Sequence, residues 1–181
     1  MATDWPAILP HRIGQVAKEN ADKSALKDGL GNHLTYKAMI DRIEAIAEAL
    51  LKSGAGPDAR VLMFQQASTD WICSMLAIMR IGGVYVSLDL RNLLFRLATV
   101  AKHCQPKAVL ADGTTIGDAL QLWVATVVDI SRVASSPKAV VLNAAHCDKL
   151  DAVLYTSGST GTPKGYCHTP FWYTERDGGI H

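Results

Sequence analysis

Short apolar runs alternating with amphipathic stretches point to an α/β fold, a largely parallel sheet flanked by helices. Three observations carry that expectation. The runs Val61-Leu62-Met63-Phe64, Val84 to Leu88 and Ala108-Val109-Leu110 are short, apolar and bounded by turn formers. The segments between them repeat apolar residues every three or four positions, and no internal repeat or long linker divides the chain. Buried parallel strands read as continuous apolar runs, and a strand–helix–strand rhythm closes as crossovers over one sheet. With 181 residues, 49% hydrophobic and 19% charged, the chain can fill one core and corresponds to one domain or part of one.

The first helix is expected from Tyr36 to Ser53, where Met39, Ile43, Ile46, Ala47, Leu50 and Leu51 form one apolar face. Thr35 is a suitable N-cap, and Gly54, Gly56 and Pro57 supply the stop. The strand Val61 to Phe64 leads to a second helix from Thr69 to Ile81, with Ile72, Met75, Leu76 and Met79 facing one way. Gly82-Gly83 ends that helix before the strand Val84 to Leu88. A third helix is expected from Asn92 to His103, with Leu93, Leu94, Leu97, Val100 and Ala101 inward and a stop near Pro106. Ala108 to Leu110 is the next strand. Trp123-Val124-Ala125-Thr126-Val127-Val128 reads as another, although the stretch 114–148 around it lacks clean periodicity. Ala152-Val153-Leu154-Tyr155 is the last.

Composition excludes several classes of function. The formal net charge is +1 with acids and bases interspersed, so no basic block invites nucleic acid. The N-terminus has no apolar stretch of signal length, and the most apolar segment, Trp71 to Val86, is cut by Arg80 and Gly82-Gly83, so nothing reads as a membrane span. Cys73, Cys104, Cys147 and Cys167 are scattered, with no Cys-x-x-Cys pair, which suits a reducing, cytoplasmic setting. Three cysteines adjoin histidines, as His103-Cys104, His146-Cys147 and Cys167-His168. Adjacent side chains diverge in helix and strand alike, so packed free thiols and surface histidines are expected rather than a metal site.

The chemistry concentrates in Tyr155-Thr156-Ser157-Gly158-Ser159-Thr160-Gly161-Thr162-Pro163-Lys164-Gly165, which gathers three glycines, five aliphatic hydroxyls and one lysine after the last strand. Glycines let main-chain N–H groups approach an anion, hydroxyls add neutral donors, and Lys164 adds a mobile positive charge, so the loop suits polyphosphate. Ligands of parallel sheets sit beyond the carboxyl ends of strands, where this loop falls. A Walker A loop would need Gly-Lys-Ser/Thr, whereas Pro163 precedes Lys164 and Gly165 follows it. A serine-hydrolase elbow would need a glycine where Ser157 stands. A flexible Ser/Thr/Gly linker is the remaining plain alternative.

On these residues the sequence resembles the adenylate-forming (AMP-binding) enzymes, a superfamily that includes acyl-CoA synthetases, luciferases and the adenylation domains of nonribosomal peptide synthetases. The run from Tyr155 to Gly165 is similar to their phosphate-binding signature. Leu34-Thr35-Tyr36, opening a long helix, resembles the first core motif of the peptide synthetase branch, and Met79 to Asp89 resembles the second. The motifs come in family order. The stretches His11 to Tyr36, Asp70 to Asn92 and Cys104 to Asp112 look most like adenylation domains of fungal polyketide synthase–peptide synthetase hybrids, and the resemblance extends from about Trp5 to Gly165.

The resemblance implies the N-terminal portion of the adenylate-forming fold, truncated, from a ligase domain that activates an amino acid as aminoacyl-AMP for nonribosomal peptide synthesis. In that chemistry a carboxylate attacks the α-phosphate of ATP and pyrophosphate leaves, so charge growing on the β and γ groups must be neutralised. Lys164 and the loop N–H groups are the candidates. Thr156, Ser157, Ser159, Thr160 and Thr162 would offer hydroxyls, and Gly158, Gly161 and Gly165 would permit the backbone turns. Asp89, in the second motif, is expected to fix a turn at a strand end. No catalytic residue or metal ligand is assigned. ATP and Mg2+ are implied as cofactors, with the metal-binding residues outside this chain.

In the family, later motifs supply the magnesium carboxylate, the ribose aspartate, the adenine-binding segment, the substrate-carboxylate pocket and a lysine on a separate domain. None has room after Gly165. The expected division is an N-terminal part of an adenylation domain over 1–165 and a divergent tail over 166–181, with no catalysis by the chain alone. His168 falls three positions beyond Gly165, and Pro170 occupies the place where the family carries a histidine. Partners would be ATP or pyrophosphate, an amino acid once missing domains complete the site, and a second copy through exposed core surface; no nucleic acid and no membrane are expected. A non-catalytic remnant or weak phosphate-binding module, and one half of a split adenylating enzyme, stay open as alternatives.

Overall fold

The computed structural model describes residues 9–29, 31–134, 137, 149–156 and 164–168. It opens on α1 (Leu9–Glu19), which periodicity alone does not suggest. Pro10 is accommodated in its first turn, where a missing N–H costs nothing. A separate antiparallel pair follows, β1 (Ser24–Lys27) and β2 (His33–Thr35). The Asp28 carboxylate shapes the turn between them, accepting from the Asn32 N–H at 2.9 Å and Nδ2 at 2.7 Å.

The last residue of β2 is also the N-cap of α2 (Tyr36–Lys52): the Thr35 hydroxyl accepts from the Ala38 N–H at 3.2 Å. Met39, Ile43, Ile46, Ala47 and Leu50 are buried as expected, but Leu51 is 44% exposed. One residue further round a helix is a rotation of about 100°, enough to carry Leu51 off the apolar face. Gly54, at φ +83°, supplies the left-handed turn that ends this segment.

The main sheet begins with β3 (Arg60–Phe64), followed by α3 (Thr69–Arg80), β4 (Val84–Ser87), α4 (Leu94–Cys104) and β5 (Ala108–Ala111). A short α5 (Ile116–Ala119) and a 3-10 turn (Leu120–Leu122) lead to β6 (Val127–Asp129) and a second 3-10 turn (Ile130–Arg132). β7 (Ala152–Thr156) and β8 (Lys164–His168) complete the order β6-β5-β3-β4-β7-β8. All pairs are parallel except β7 with β8. The expected largely parallel sheet is present, with one antiparallel edge strand added.

Strand residues alternate between the two faces, as period-two geometry demands. Val61, Met63, Tyr85, Leu110 and Ala152 pack with α2 and α3, whereas Leu62, Phe64, Val86, Val109 and Val153 pack with α4 and the α5 region. Helix α3 buries a broader face than its spacing suggests. Cys73, Leu76, Ala77, Ile78 and Met79 are buried, while Ile72 and Met75 are only partly so, because α3 packs against α2 as well as against β3 and β4.

Two further expectations are corrected. Helix α4 starts at Leu94 rather than Asn92, because the Asn92 N–H is held by the Asp89 carbonyl at 3.0 Å, and Leu93 is left 68% exposed. Trp123 to Thr126 is not strand. Trp123 takes φ +58° after the 3-10 turn and is 93% exposed, and pairing to β5 starts only where the Val109 N–H reaches the Thr126 carbonyl at 2.9 Å. Among the described residues no helix is long and apolar enough to cross a membrane.

Polar contacts lock the helical layer on the α2 side. Arg42 donates to both Asp70 oxygens and to the Val133 and Ile130 carbonyls, joining α2, α3 and the segment after β6. Arg80 and Glu44 form a largely buried ion pair at 2.5 Å. Burial pushes the Cys73 thiol up to about 12 and the Cys104 thiol up to about 11, so both remain packed and protonated at neutral pH. Cys167 is exposed rather than packed, since it lies on the open edge strand β8, and Cys147 lies outside the described residues.

Candidate phosphate-binding site

The carboxyl ends of the parallel strands meet along one edge of the sheet, and three turns gather there. After β3 and β5, the Asp112 carboxylate accepts from the Gln66 N–H at 2.8 Å and from the Thr114 and Thr115 N–H groups at 2.9 and 3.0 Å, while Thr115 Oγ1 donates to the Phe64 carbonyl at 2.6 Å. Burial works against the charged form, but hydrogen bonds from Thr114, Gln66 and Thr115 outweigh it and hold the Asp112 carboxyl below its usual range. This knot ties the central strand to its neighbour.

After β4, Asp89 fixes a turn as expected. The Arg91 guanidinium donates through Nε to Oδ1 at 2.9 Å and through Nη2 to Oδ2 at 2.8 Å, and the Arg91 N–H adds a third bond at 3.1 Å. These hydrogen bonds pull the Asp89 carboxyl down to about 2. With both oxygens engaged locally, Asp89 serves the turn.

After β7 comes the candidate loop. β7 and β8 are paired in register Tyr155↔Gly165 and Thr156↔Lys164, so the chain leaves the carboxyl edge at Thr156 and returns to it at Lys164. Of the predicted site residues, Thr156, Lys164 and Gly165 are therefore brought together at the base of the connection. Ser157, Gly158, Ser159, Thr160, Gly161 and Thr162 lie outside the described residues. Lys164 is exposed and carries no ion pair among the described residues, which leaves its ammonium available to an anion. Gly165 lies tightly over its neighbours: a Cβ there would stand 3.0 Å from Val153 Cγ1 and 3.2 Å from Tyr155 Cζ. Only glycine lets β8 approach β7 this closely at that position.

Two residues absent from the sequence-based site complete the geometry. Tyr155 Oη stands 2.7 Å from His103 Nδ1 on the last turn of α4, and the two rings meet edge to face at 88° with centroids 5.7 Å apart. Burial pushes the Tyr155 phenol up, so it stays neutral and free to share this hydrogen bond. Tyr155 is visible in the sequence as the first residue of the loop motif. His103 is separated from it by 52 residues, and no local signal marks their pairing. At the other end of β8, His168 Nδ1 lies 3.5 Å from Asp151 Oδ1, and the Asp151 N–H donates to the His168 carbonyl at 3.0 Å. Burial raises the Asp151 carboxyl, and His168 works in the opposite direction.

Lys164, the described charged residue at the base of the loop, has the chemistry to attract an anion. A metal finds no ligand set among the described residues, where no group of three or more His, Cys, Asp and Glu side chains could hold an ion. Of the residues named for the loop, the described ones, Thr156, Lys164 and Gly165, include one charged group, the Lys164 ammonium.

Comparison with known proteins identifies the family and the fold. Residues 14–171 match the family described as AMP-binding enzyme. The chain is 58% identical over 167 residues to the hybrid PKS-NRPS synthetase thnA of Trichoderma harzianum, covering 91% of this chain and 4% of that protein. It is 55% identical over 166 residues to the hybrid PKS-NRPS synthetase traA of Penicillium crustosum, covering 90% and 4%. Among solved structures, VinN in complex with 3-methylaspartate superposes with a TM-score of 0.77 at 21% identity, covering 90% of this chain and 47% of VinN. A benzoate CoA ligase from Burkholderia xenovorans gives 0.75 at 22% identity, covering 93% and 36%. These two likenesses carry the fold alone. The chain spans about one twenty-fifth of the length of the curated relatives it matches. It belongs to the AMP-binding enzyme family, and its sequence aligns with a segment of fungal hybrid PKS-NRPS synthetases.

Proposed function

We propose that Thr156 to Gly165 form the polyphosphate cradle of an adenylation domain that activates an amino acid as aminoacyl-AMP for nonribosomal peptide synthesis. The supporting observation is the Thr156↔Lys164 pairing at the carboxyl end of parallel strand β7, which returns the lysine to the edge where such sheets bind ligands. Lys164 places positive charge beside the β- and γ-phosphates of ATP. The hydroxyls of Thr156, Ser157, Ser159, Thr160 and Thr162 donate to phosphate oxygens, and Gly158, Gly161 and Gly165 allow the main chain to bring its N–H groups close. As a carboxylate attacks the α-phosphate, these donors stabilise the departing pyrophosphate.

The amino acid and Mg2+ are bound by residues outside this set. Amino-acid activation is supported by the likeness to hybrid PKS-NRPS synthetases. A reducing, cytoplasmic setting fits the buried, protonated Cys73 and Cys104. The test is a titration of the 181-residue chain with pyrophosphate and with ATP, followed by amide chemical shifts. Shifts centred on residues 152–168 that weaken in Lys164→Ala support the cradle; shifts elsewhere, or shifts indifferent to Lys164, overturn it.

A further inference from the structure

We propose that His103 is a positioning residue for the phosphate loop, acting through the Tyr155 hydroxyl; this rests on the cradle proposed above. The relevant contacts form a relay. His103, on the last turn of α4, meets Tyr155 Oη through Nδ1 at 2.7 Å, and the perpendicular rings fix the phenol in rotation as well as in reach. Tyr155 immediately precedes Thr156, where the loop begins. Its ring is also the surface on which β8 rests, because a Cβ on Gly165 would lie 3.2 Å from Cζ and 3.4 Å from Cε1. Gly165 immediately follows Lys164. One side chain held by α4 thus touches both ends of the loop.

The hairpin needs such a support. Among the described residues β8 is the edge strand and pairs only with β7, and Lys164 to Cys167 are exposed. The Asp151–His168 contacts hold the end of the hairpin away from the loop. Among the described residues, no other side-chain hydrogen bond joins the loop end to the rest of the fold. An edge strand held by so few contacts opens locally at low free energy, and a loop whose two ends drift apart presents its donors less often. The His103–Tyr155 bond restrains both ends together. His103 is itself exposed, so its replacement leaves the core intact.

The test uses Tyr155→Phe, His103→Ala, the double variant and His103→Asn, which keeps a hydrogen-bonding group near the position of Nδ1. Hydrogen exchange of amides in 152–156 and 164–168 is measured without ligand, the thermal unfolding midpoint is recorded, and pyrophosphate affinity is read from amide shifts. The expected result is faster hairpin exchange and about three- to tenfold weaker pyrophosphate binding in each single variant, the range for losing one net hydrogen bond. The double variant should be no worse than either single one, and His103→Asn should recover most of the loss. In Tyr155→Phe the His103 Nδ1 nitrogen shift should move while the unfolding midpoint changes little. Additive losses in the double variant, or unchanged hairpin exchange in both singles, would overturn the proposal. If the parent chain fails to bind pyrophosphate, the cradle fails, and the ligand-free exchange data still decide whether His103 orders the hairpin.

Discussion

Arg42 meets Asp70 through two parallel hydrogen bonds of 2.8 Å, Nε to Oδ1 and Nη2 to Oδ2, joining helices α2 and α3 across 28 residues of sequence. The same guanidinium caps the Ile130 and Val133 carbonyls at 2.8 and 2.9 Å. A planar fork can satisfy all of these acceptors together, which the ammonium of a lysine cannot.

Arg42→Lys is therefore expected to destabilise the chain although charge is kept. A loss of about 1–3 kcal/mol follows from leaving the carboxylate and carbonyls underserved. Urea unfolding monitored by circular dichroism measures it, and a midpoint equal to the parent's would refute the role given to the fork.

Gly165→Ala should loosen the base of the phosphate loop. The new methyl would meet Val153 Cγ1 at 3.0 Å and Tyr155 Cζ at 3.2 Å, an overpacking that costs about 1–3 kcal/mol. Gly14 is the internal control. It lies in α1, where an added methyl would meet nothing within 4 Å, so Gly14→Ala should stabilise by about 0.5–1 kcal/mol. Thermal melts of the two variants should move in opposite directions.

Asp112 gives a pH dependence of defined sign. Its folded pKa lies below the ordinary carboxylate value of 3.8, so its contribution to stability is present above that value and is lost as pH falls through the folded pKa. Asp112 is only partly buried, so solvent screening keeps the effect modest. Asp112→Asn should flatten the acid limb of the stability curve below pH about 4, and an unchanged acid limb would contradict the assignment.

The 181-residue chain by itself should show no amino-acid-dependent ATP–pyrophosphate exchange, because loop donors alone cannot align a carboxylate with the α-phosphate for in-line attack. Exchange above a no-protein control with any single amino acid would sink this. Pyrophosphate and ATP should bind about equally, near ~1 mM or about 4 kcal/mol, with affinity falling as salt rises. A marked preference for ATP over pyrophosphate would mean that adenine contacts contribute.

Phe95, Leu120 and Trp123 are 70%, 66% and 93% exposed near one another, beside α4 and the 3-10 turn. Exposed aromatic surface of this kind promotes association. The chain is expected to self-associate with rising concentration, and Phe95→Ser with Trp123→Ser should shift light scattering towards the monomer. A parent that stays monomeric across the accessible range would remove the expectation.

Local pattern alone determined the helices from Tyr36 and Thr69, the strands β3, β4, β5 and β7, the Thr35 cap, the Asp89 turn and the arrival of the glycine-rich loop after a buried strand. Each depends on residues within a few positions of one another, so periodicity and capping chemistry suffice. The loop motif also carried the family, since its order of glycine, hydroxyl and lysine is chemically specific. Tertiary structure decided what depends on distant neighbours. Leu51, Leu93 and Trp123 are apolar yet exposed, because no element of the described fold covers them fully. β8 is a strand because β7 offers it an edge, and His103 supports Tyr155 because the crossover through α4 brings residues 52 positions apart to 2.7 Å. Such contacts leave no trace in local spacing: they arise when chain folding places two elements side by side, and only the sheet order specifies which two.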